Sequence, residues 1–249
     1  MTQGASLYDG WAPFYDRLLG EAGFQHIWPA FCRAARRFGM RITSAADFGC
    51  GTGLFLAALS QAAPKADLLG IDRSREMLRV ATRRLAGRNV QLFRADLRDV
   101  CLPRRVDLVT CNFSTLNYFV LSTDMQLAFR NFVRHLKKGG FVAIDFLCSG
   151  GGKGTRKFVQ KISLPGMMAI WHIRSNRMNT RAQVVMRNCR CQPRGCRCWQ
   201  EAHDQRWWSI AEVTHHLRTA GLVALGVTAL GEVPPSRGGR WVQVVARRA

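Results

Sequence analysis

Glycines at 49, 51 and 53 directly follow the apolar run Ser44–Phe48 and directly precede an apolar helical stretch, and they constrain this chain more than any other feature. Alternate glycines let backbone amides approach a ligand closely, and a strand, glycine turn and helix in succession open the ligand crevice of an open α/β sheet. A dinucleotide fingerprint needs a small residue at position 54, where Leu54 stands. Asp47 precedes the loop, where a carboxylate repels a phosphate but suits a positively charged group such as an ammonium.

The rest of the chain agrees with that opening. Ser44–Phe48, Ala66–Asp72, Val90–Asp96, Val106–Cys111 and Phe141–Phe146 are apolar runs of strand length. Between them, Ser74–Leu85 and Met125–Leu136 carry apolar residues at helical spacing, and Lys137-Lys138-Gly139-Gly140 reads as a helix stop. This alternation predicts an α/β fold, a doubly wound, mostly parallel seven-stranded sheet. The glycine-rich stretch 148–157 interrupts it. Met168–Arg174, Gln183–Cys191 and Cys196–Trp207 read as strands, the last two joined by Gln192-Pro193-Arg194-Gly195 into an antiparallel hairpin insertion. A helix over Ser209–Ala220 and strands over Leu222–Leu230 and Trp241–Ala246 close the pattern. The chain thus divides as one domain: an N-terminal lid over 1–40, a cofactor-binding core over 41–147, inserted substrate-side strands over 148–208, and a closing helix with two strands over 209–249.

Two further carboxylates lie where such a crevice needs them. Asp72 ends the second strand, 19 residues past Gly53, where it can accept bonds from both hydroxyls of a ribose. Asp96 ends the third, placed for an exocyclic adenine amine. With these residues, DFGCGTG, GIDRSREML, FRADLRDV, VDLVTCNFSTLNYF and LKKGGFVAIDF resemble the successive motifs of the class I S-adenosylmethionine-dependent methyltransferases. The segments YDGWAPFYD (8–16) and EAHDQRWW (201–208) are similar to the lid and a later segment of a small-molecule subfamily. The resemblance implies S-adenosyl-L-methionine as cofactor. It puts Asp47, Gly49, Gly51 and Gly53 on the methionine end, Asp72 and Arg73 at the ribose, and Met77 with Asp96 and Leu97 at the adenine. Cys111 and Asn112 fall at the crevice edge, and Tyr8, Trp11 and Tyr15 close over the cofactor.

Methyl transfer from a sulfonium needs alignment, exclusion of water and a free lone pair on the acceptor, with no nucleophilic side chain. An aromatic face attracts a sulfonium, which suits the N-terminal tyrosines. With the hairpin turn at Pro193-Arg194, Cys191 faces Cys196, Cys189 faces Cys198, Met186 faces Glu201 and Val184 faces His203. Strand alternation then puts Val184, Met186, Trp199, Glu201, His203, Gln205 and Trp207 on an inward apolar face. Glu201 and His203 are costly there unless they bond each other, the substrate or Arg206. His203 is therefore the candidate general base or orienter of the acceptor, Glu201 its partner, and Tyr15 the third catalytic candidate. His172 and the pair His215-His216 have no such partners in the pattern.

The four cysteines 189, 191, 196 and 198 share the outer face. Their C-x-C spacing on paired strands is not that of structural zinc sites, and a reducing compartment disfavours disulfides, so they read as exposed, non-catalytic thiols with no metal site expected. The chain has no membrane-length apolar run and no basic, apolar leader at its start, and reads as cytoplasmic. Its formal charge is +21. Residues 1–150 hold 20 basic and 12 acidic side chains, residues 151–249 hold 17 and 4. The excess lies on the part expected to choose the acceptor, so the expected partner is a small molecule, anionic or carried by an acidic protein, methylated on nitrogen or oxygen. RNA is the alternative acceptor, disfavoured because the basic residues are scattered; a non-catalytic nucleotide- or nucleic-acid-binding module is the alternative outside enzymes.

Overall fold

The computed structural model describes residues 8–10, 12–149, 154–155, 157–193, 195–231 and 240–249. Trp11 and Arg194 fall outside these. Five helices are α1 (Glu21–Arg37), α2 (Leu54–Ala62), α3 (Arg75–Arg84), α4 (Ser122–His135) and α5 (Ile210–Thr219). Eleven strands are β1 (Ser44–Phe48), β2 (Asp67–Asp72), β3 (Val90–Arg94), β4 (Val106–Cys111), β5 (Leu136–Cys148), β6 (Lys157–Leu164), β7 (Met167–Ser175), β8 (Arg181–Gln192), β9 (Gly195–Arg206), β10 (Leu222–Gly231) and β11 (Arg240–Arg248).

Seven strands form one sheet in the order β10-β11-β5-β4-β1-β2-β3, with β1 to β5 parallel and β11 antiparallel to both neighbours. Sequential strands run outward from β1 on one side and from β4 on the other, so the order reverses between them, which is where α/β sheets bind ligands. All five residues of β1 are buried, as a strand covered on both faces requires. Two apolar cores flank the sheet, one holding Phe48, Phe129, Phe132 and Trp208, the other Ile27, Phe31, Phe55 and Trp241. The helices start where side chains supply the missing acceptors. Ser74 Oγ accepts from Met77 N at the head of α3, and Ser209 with Glu212 forms a capping box on α5.

The insertion is larger than a hairpin. β6 to β9 form a separate antiparallel sheet, and β6 lies in a stretch where no strand was expected. The β8–β9 register pairs Cys191 with Cys196, Cys189 with Cys198, Met186 with Glu201 and Val184 with His203. Val184, Met186, His203 and Trp207 are buried, and Trp171 with Met167 from β7 completes the inner face. The four cysteines are not free thiols: the register brings the Cα atoms to 4.0 and 4.1 Å, within bridging reach, and Cys189–Cys198 and Cys191–Cys196 are disulfides. Among the described residues no helix is long and apolar enough to cross a membrane.

Candidate active site

The glycine loop turns directly off β1. Gly49 and Cys50 donate to Ile71 O at 2.7 and 2.9 Å, so the loop is pinned to the neighbouring strand. Gly49 has φ of 79°, and a Cβ there would come within 2.7 Å of Thr115 Cγ2. Gly53 has φ of 76°, and its Cβ would lie 2.9 Å from Leu85 Cδ1. Both positions thus need glycine for backbone conformation and for packing. A cleft of about 1080 Å³, open mouth included, lies over this loop. Asp72, Arg73, Met77, Asp96 and Leu97 border it with Gly49 to Thr52.

Three carboxylates define the electrostatics. Asp72 accepts from Gly51 N at 2.9 Å and Ser74 N at 2.8 Å, which fixes both oxygens at the end of β2. Asp47 is 2% exposed, beneath the cleft rather than on its wall, and accepts from Thr110 Oγ1 at 2.6 Å. Asp145 accepts from Phe113 N, Ser114 N and Trp241 Nε1 at 2.7 to 2.9 Å. Burial is the main cause that pushes Asp47 up to about 7, Asp145 up to about 6, and Asp72 above its ordinary value. Asp72 and Asp145 each raise Asp47 further. Among the described residues none of the three is in an ion pair. Asn112, also buried, leaves both side-chain amide atoms without a partner there. Uncompensated buried carboxylates and an orphaned amide beneath a glycine cradle fit a cationic, ribose-bearing ligand.

Asp96 is differently placed. Arg98 holds both its oxygens, at 2.8 to 2.9 Å, and also bonds Asp124 at 2.7 Å. Those bonds keep the Asp96 carboxyl below its usual range. Cys111 and Asn112 are buried behind the cleft, and Gly53 faces Leu85 rather than the opening.

The N-terminal segment closes the cleft. Thr52 Oγ1 donates to Asp16 Oδ1 at 2.6 Å, Arg84 bonds the same carboxylate at 2.5 Å, and Ser74 Oγ donates to Asp9. Tyr8 N donates to Glu201 Oε2 at 3.0 Å, tying the segment to the small sheet as well. On its other side lies a second cavity of about 1410 Å³, mouth included, between α1 and the small sheet. Leu18, Leu19, Phe158, Trp171, Met186 and Trp207 give it an apolar wall, with His26, Ser114, Gln160 and Gln205 as polar points. No Arg or Lys lines it among the described residues. Tyr8, Tyr15, Phe113 and Tyr118 border both cavities.

His203 is fully buried and stands next to this junction without lining either cavity. Its Nε2 lies 3.1 Å from Glu201 Oε2 and its Nδ1 3.0 Å from Tyr118 Oη. Arg206, the other partner considered for these groups, pairs instead with Glu212 at 2.7 Å and stacks over Trp208. Tyr118, in the one-turn helix Thr115–Tyr118 after β4, lies in the segment VDLVTCNFSTLNYF, which by itself assigns it no role. Asp145 is a lone carboxylate inside the apolar strand β5, in the segment LKKGGFVAIDF, which by itself assigns it no role.

A doubly wound sheet, a glycine loop at its switch point and buried acids beneath define a nucleoside-binding α/β enzyme class. Residues 45–140 match the family described as a methyltransferase domain. A dTDP-3-amino-3,6-dideoxy-α-D-glucopyranose N,N-dimethyltransferase of Streptomyces fradiae is 31% identical over 44% of this chain; the match spans 42% of that relative. A dTDP-4-amino-2,3,4,6-tetradeoxy-D-glucose N,N-dimethyltransferase of Saccharopolyspora spinosa is 27% identical over 72% of this chain and 70% of its own length. The sugar N-methyltransferase KedS8 of Streptoalloteichus superposes with a TM-score of 0.76 at 25% identity, over 100% of this chain and 95% of its own. A methyltransferase of Clostridium acetobutylicum shares the fold, with a TM-score of 0.80 at 19% identity over 98% of this chain and 100% of its own.

Proposed function

We propose that the chain is an S-adenosylmethionine-dependent N-methyltransferase acting on an amino group of a small molecule with a largely apolar body, such as a deoxygenated amino sugar. The observation that carries this reading is the pair of cavities that meet at Tyr8, Tyr15, Phe113 and Tyr118. One is built for a cationic nucleoside, the other for an uncharged ring. The relatives named for amino-sugar N-methylation support nitrogen over oxygen and a deoxygenated over a polar acceptor. An apolar wall with His26, Ser114, Gln160 and Gln205 as scattered polar points is suited to a sugar that has lost hydroxyls.

The cofactor, when bound, supplies a methyl group already activated on a sulfonium. Asp72 would hold the ribose, Gly49 to Gly51 would let the ligand approach the backbone, and Asp47 with Asp145 would favour positive charge near the methionine end. Tyr8 and Tyr15 would exclude water and confine the acceptor to one approach, the alignment on which displacement depends. Calorimetry with S-adenosylhomocysteine, then mass spectrometry of dTDP-3-amino-3,6-dideoxy-α-D-glucopyranose after incubation with S-adenosylmethionine, tests the reading. Binding and one or two added methyl groups are expected. Absence of binding at about 1 mM, where a weak ligand still registers, would sink it.

A further inference from the structure

His203 cannot touch an acceptor in the second cavity, because it is fully buried and lines no part of that wall. Tyr118 can, since it borders both cavities. We propose that Tyr118 is the catalytic residue that takes the proton of the acceptor nitrogen, and that His203 and Glu201 act through it as a relay. The inference rests on the N-methyl transfer reading and adds to it the route by which the proton leaves.

Hydrogen-bond roles are fixed by what each group can do. The Glu201 carboxylate can only accept, so His203 Nε2 carries the hydrogen on their 3.1 Å bond. His203 Nδ1 then presents its lone pair to Tyr118 Oη at 3.0 Å, and the phenol donates. Glu201 is held in turn by Trp199 Nε1 at 2.9 Å and Tyr8 N at 3.0 Å. Tyr118 Oη is the acceptor for the Tyr8 hydroxyl and the Gln205 side chain. Gln205 also lines the acceptor cavity, so its amide marks the place that an acceptor N–H takes over.

Methyl transfer leaves an ammonium on the product nitrogen. One N–H bond of that ammonium breaks, its electron pair stays on nitrogen, and its proton passes to Tyr118 Oη as the phenol's own proton passes to His203 Nδ1. The phenol ends neutral and the imidazolium ends paired with Glu201. Burial pushes Tyr118 up to about 12, so it serves as a neutral conductor, not as a stored phenolate. Among the described residues, the ionisable groups around the relay include Glu201 on the same strand, Tyr8 with Tyr15 against it from the N-terminal segment, and Arg73, whose charge acts on Tyr118. Val184, across the hairpin, is apolar.

The test uses the full chain with S-adenosylhomocysteine bound and ¹⁵N-labelled histidine, read by NMR. His203 is expected as the Nε2-protonated tautomer, with its Nδ1 resonance shifted in Tyr118→Phe. In turnover of the dTDP amino sugar, Tyr118→Phe is expected to reduce kcat about 10²-fold in a protein that still binds S-adenosylhomocysteine. Glu201→Gln is expected to move one acidic limb of the pH profile to lower pH, while the limb set by the amine itself stays in place. A ring protonated on Nδ1 in a protein that binds S-adenosylhomocysteine would overturn the relay alone. A wild-type protein that binds no S-adenosylhomocysteine would overturn the methyltransferase reading and the relay with it.

Discussion

Asp47, Asp72 and Asp145 share one neighbourhood, and their burial makes each of them harder to ionise. Asp47 is pushed furthest of the two with a resolved value, up to about 7, with Asp145 at about 6. Its folded value lies above its unfolded one, so the native state holds more protons than the unfolded chain between about pH 4 and 7, and stability falls as pH rises through that window. A cation nearby favours the ionised form, so the affinity for S-adenosylmethionine is expected to weaken by up to about tenfold per pH unit as pH falls below 7. Calorimetry between pH 5.5 and 7.5 measures this. Asp47→Asn should flatten both dependences, and a wild-type-like pH slope in that variant would assign the proton elsewhere. Asp145 does a different task. Phe113 and Ser114 both have φ of 58°, unfavourable for side chains larger than glycine, and Asp145 holds their amides. Every neighbour bonded to Asp145 is a donor, so Asp145→Asn sets an NH2 against one of them and is expected to cost about 1–3 kcal/mol in urea unfolding. Asp72, Glu201 and His203 were legible because their positions on strands imply neighbours. Tyr118 lies in a motif segment, but its partners are set only when β9 folds against it.

At the scale of elements, the sequence was clearest where turn chemistry sets register. Pro193 and Gly195 fix the β8–β9 pairing, and with it which side of the hairpin is buried. β6 escaped notice because Lys157–Leu164 places Gln160 on the inner face and Val159, 59% exposed, on the outer, which blurs the alternation that marks a strand. The same register decides the cysteine chemistry. Paired strands set two opposed thiols at bridging distance regardless of C-x-C spacing. Closing the outer loop of about ten residues is worth roughly 2–3 kcal/mol by the chain-entropy estimate, and the nested inner bond adds less. Cys189→Ser with Cys198→Ser is therefore expected to lower the thermal midpoint and to increase hydrogen exchange in β8 and β9. S-adenosylhomocysteine affinity should hold within about twofold, because the cysteines line neither cavity. An unchanged midpoint in the double variant would show that the disulfide does not stabilise the small sheet.

Across the whole molecule, part of the +21 charge lies on the face of the small sheet opposite the second cavity. Strand alternation sends Lys157, Lys161, Arg174 and Arg187 to the exposed side of the small sheet, while its inner side, which walls the cavity, is apolar. An anionic acceptor chosen by that charge would need its arginines and lysines on the wall, and the wall has neither among its described residues. The charge therefore has no direct hand in binding the body of the acceptor. This separates the small-molecule reading from an RNA or acidic-carrier reading by a measurement on the same sample. Contacts to phosphates or to an acidic protein weaken steeply with salt, by orders of magnitude between about 50 and 200 mM for several phosphate contacts. An uncharged ring held by Trp171, Met186 and Trp207 has no such dependence. The KM for an amino-sugar acceptor lacking its nucleotide is expected to stay within about twofold over that range. A steep rise with salt would place the basic outer face in the acceptor site after all, and would return the charge to the centre of the function.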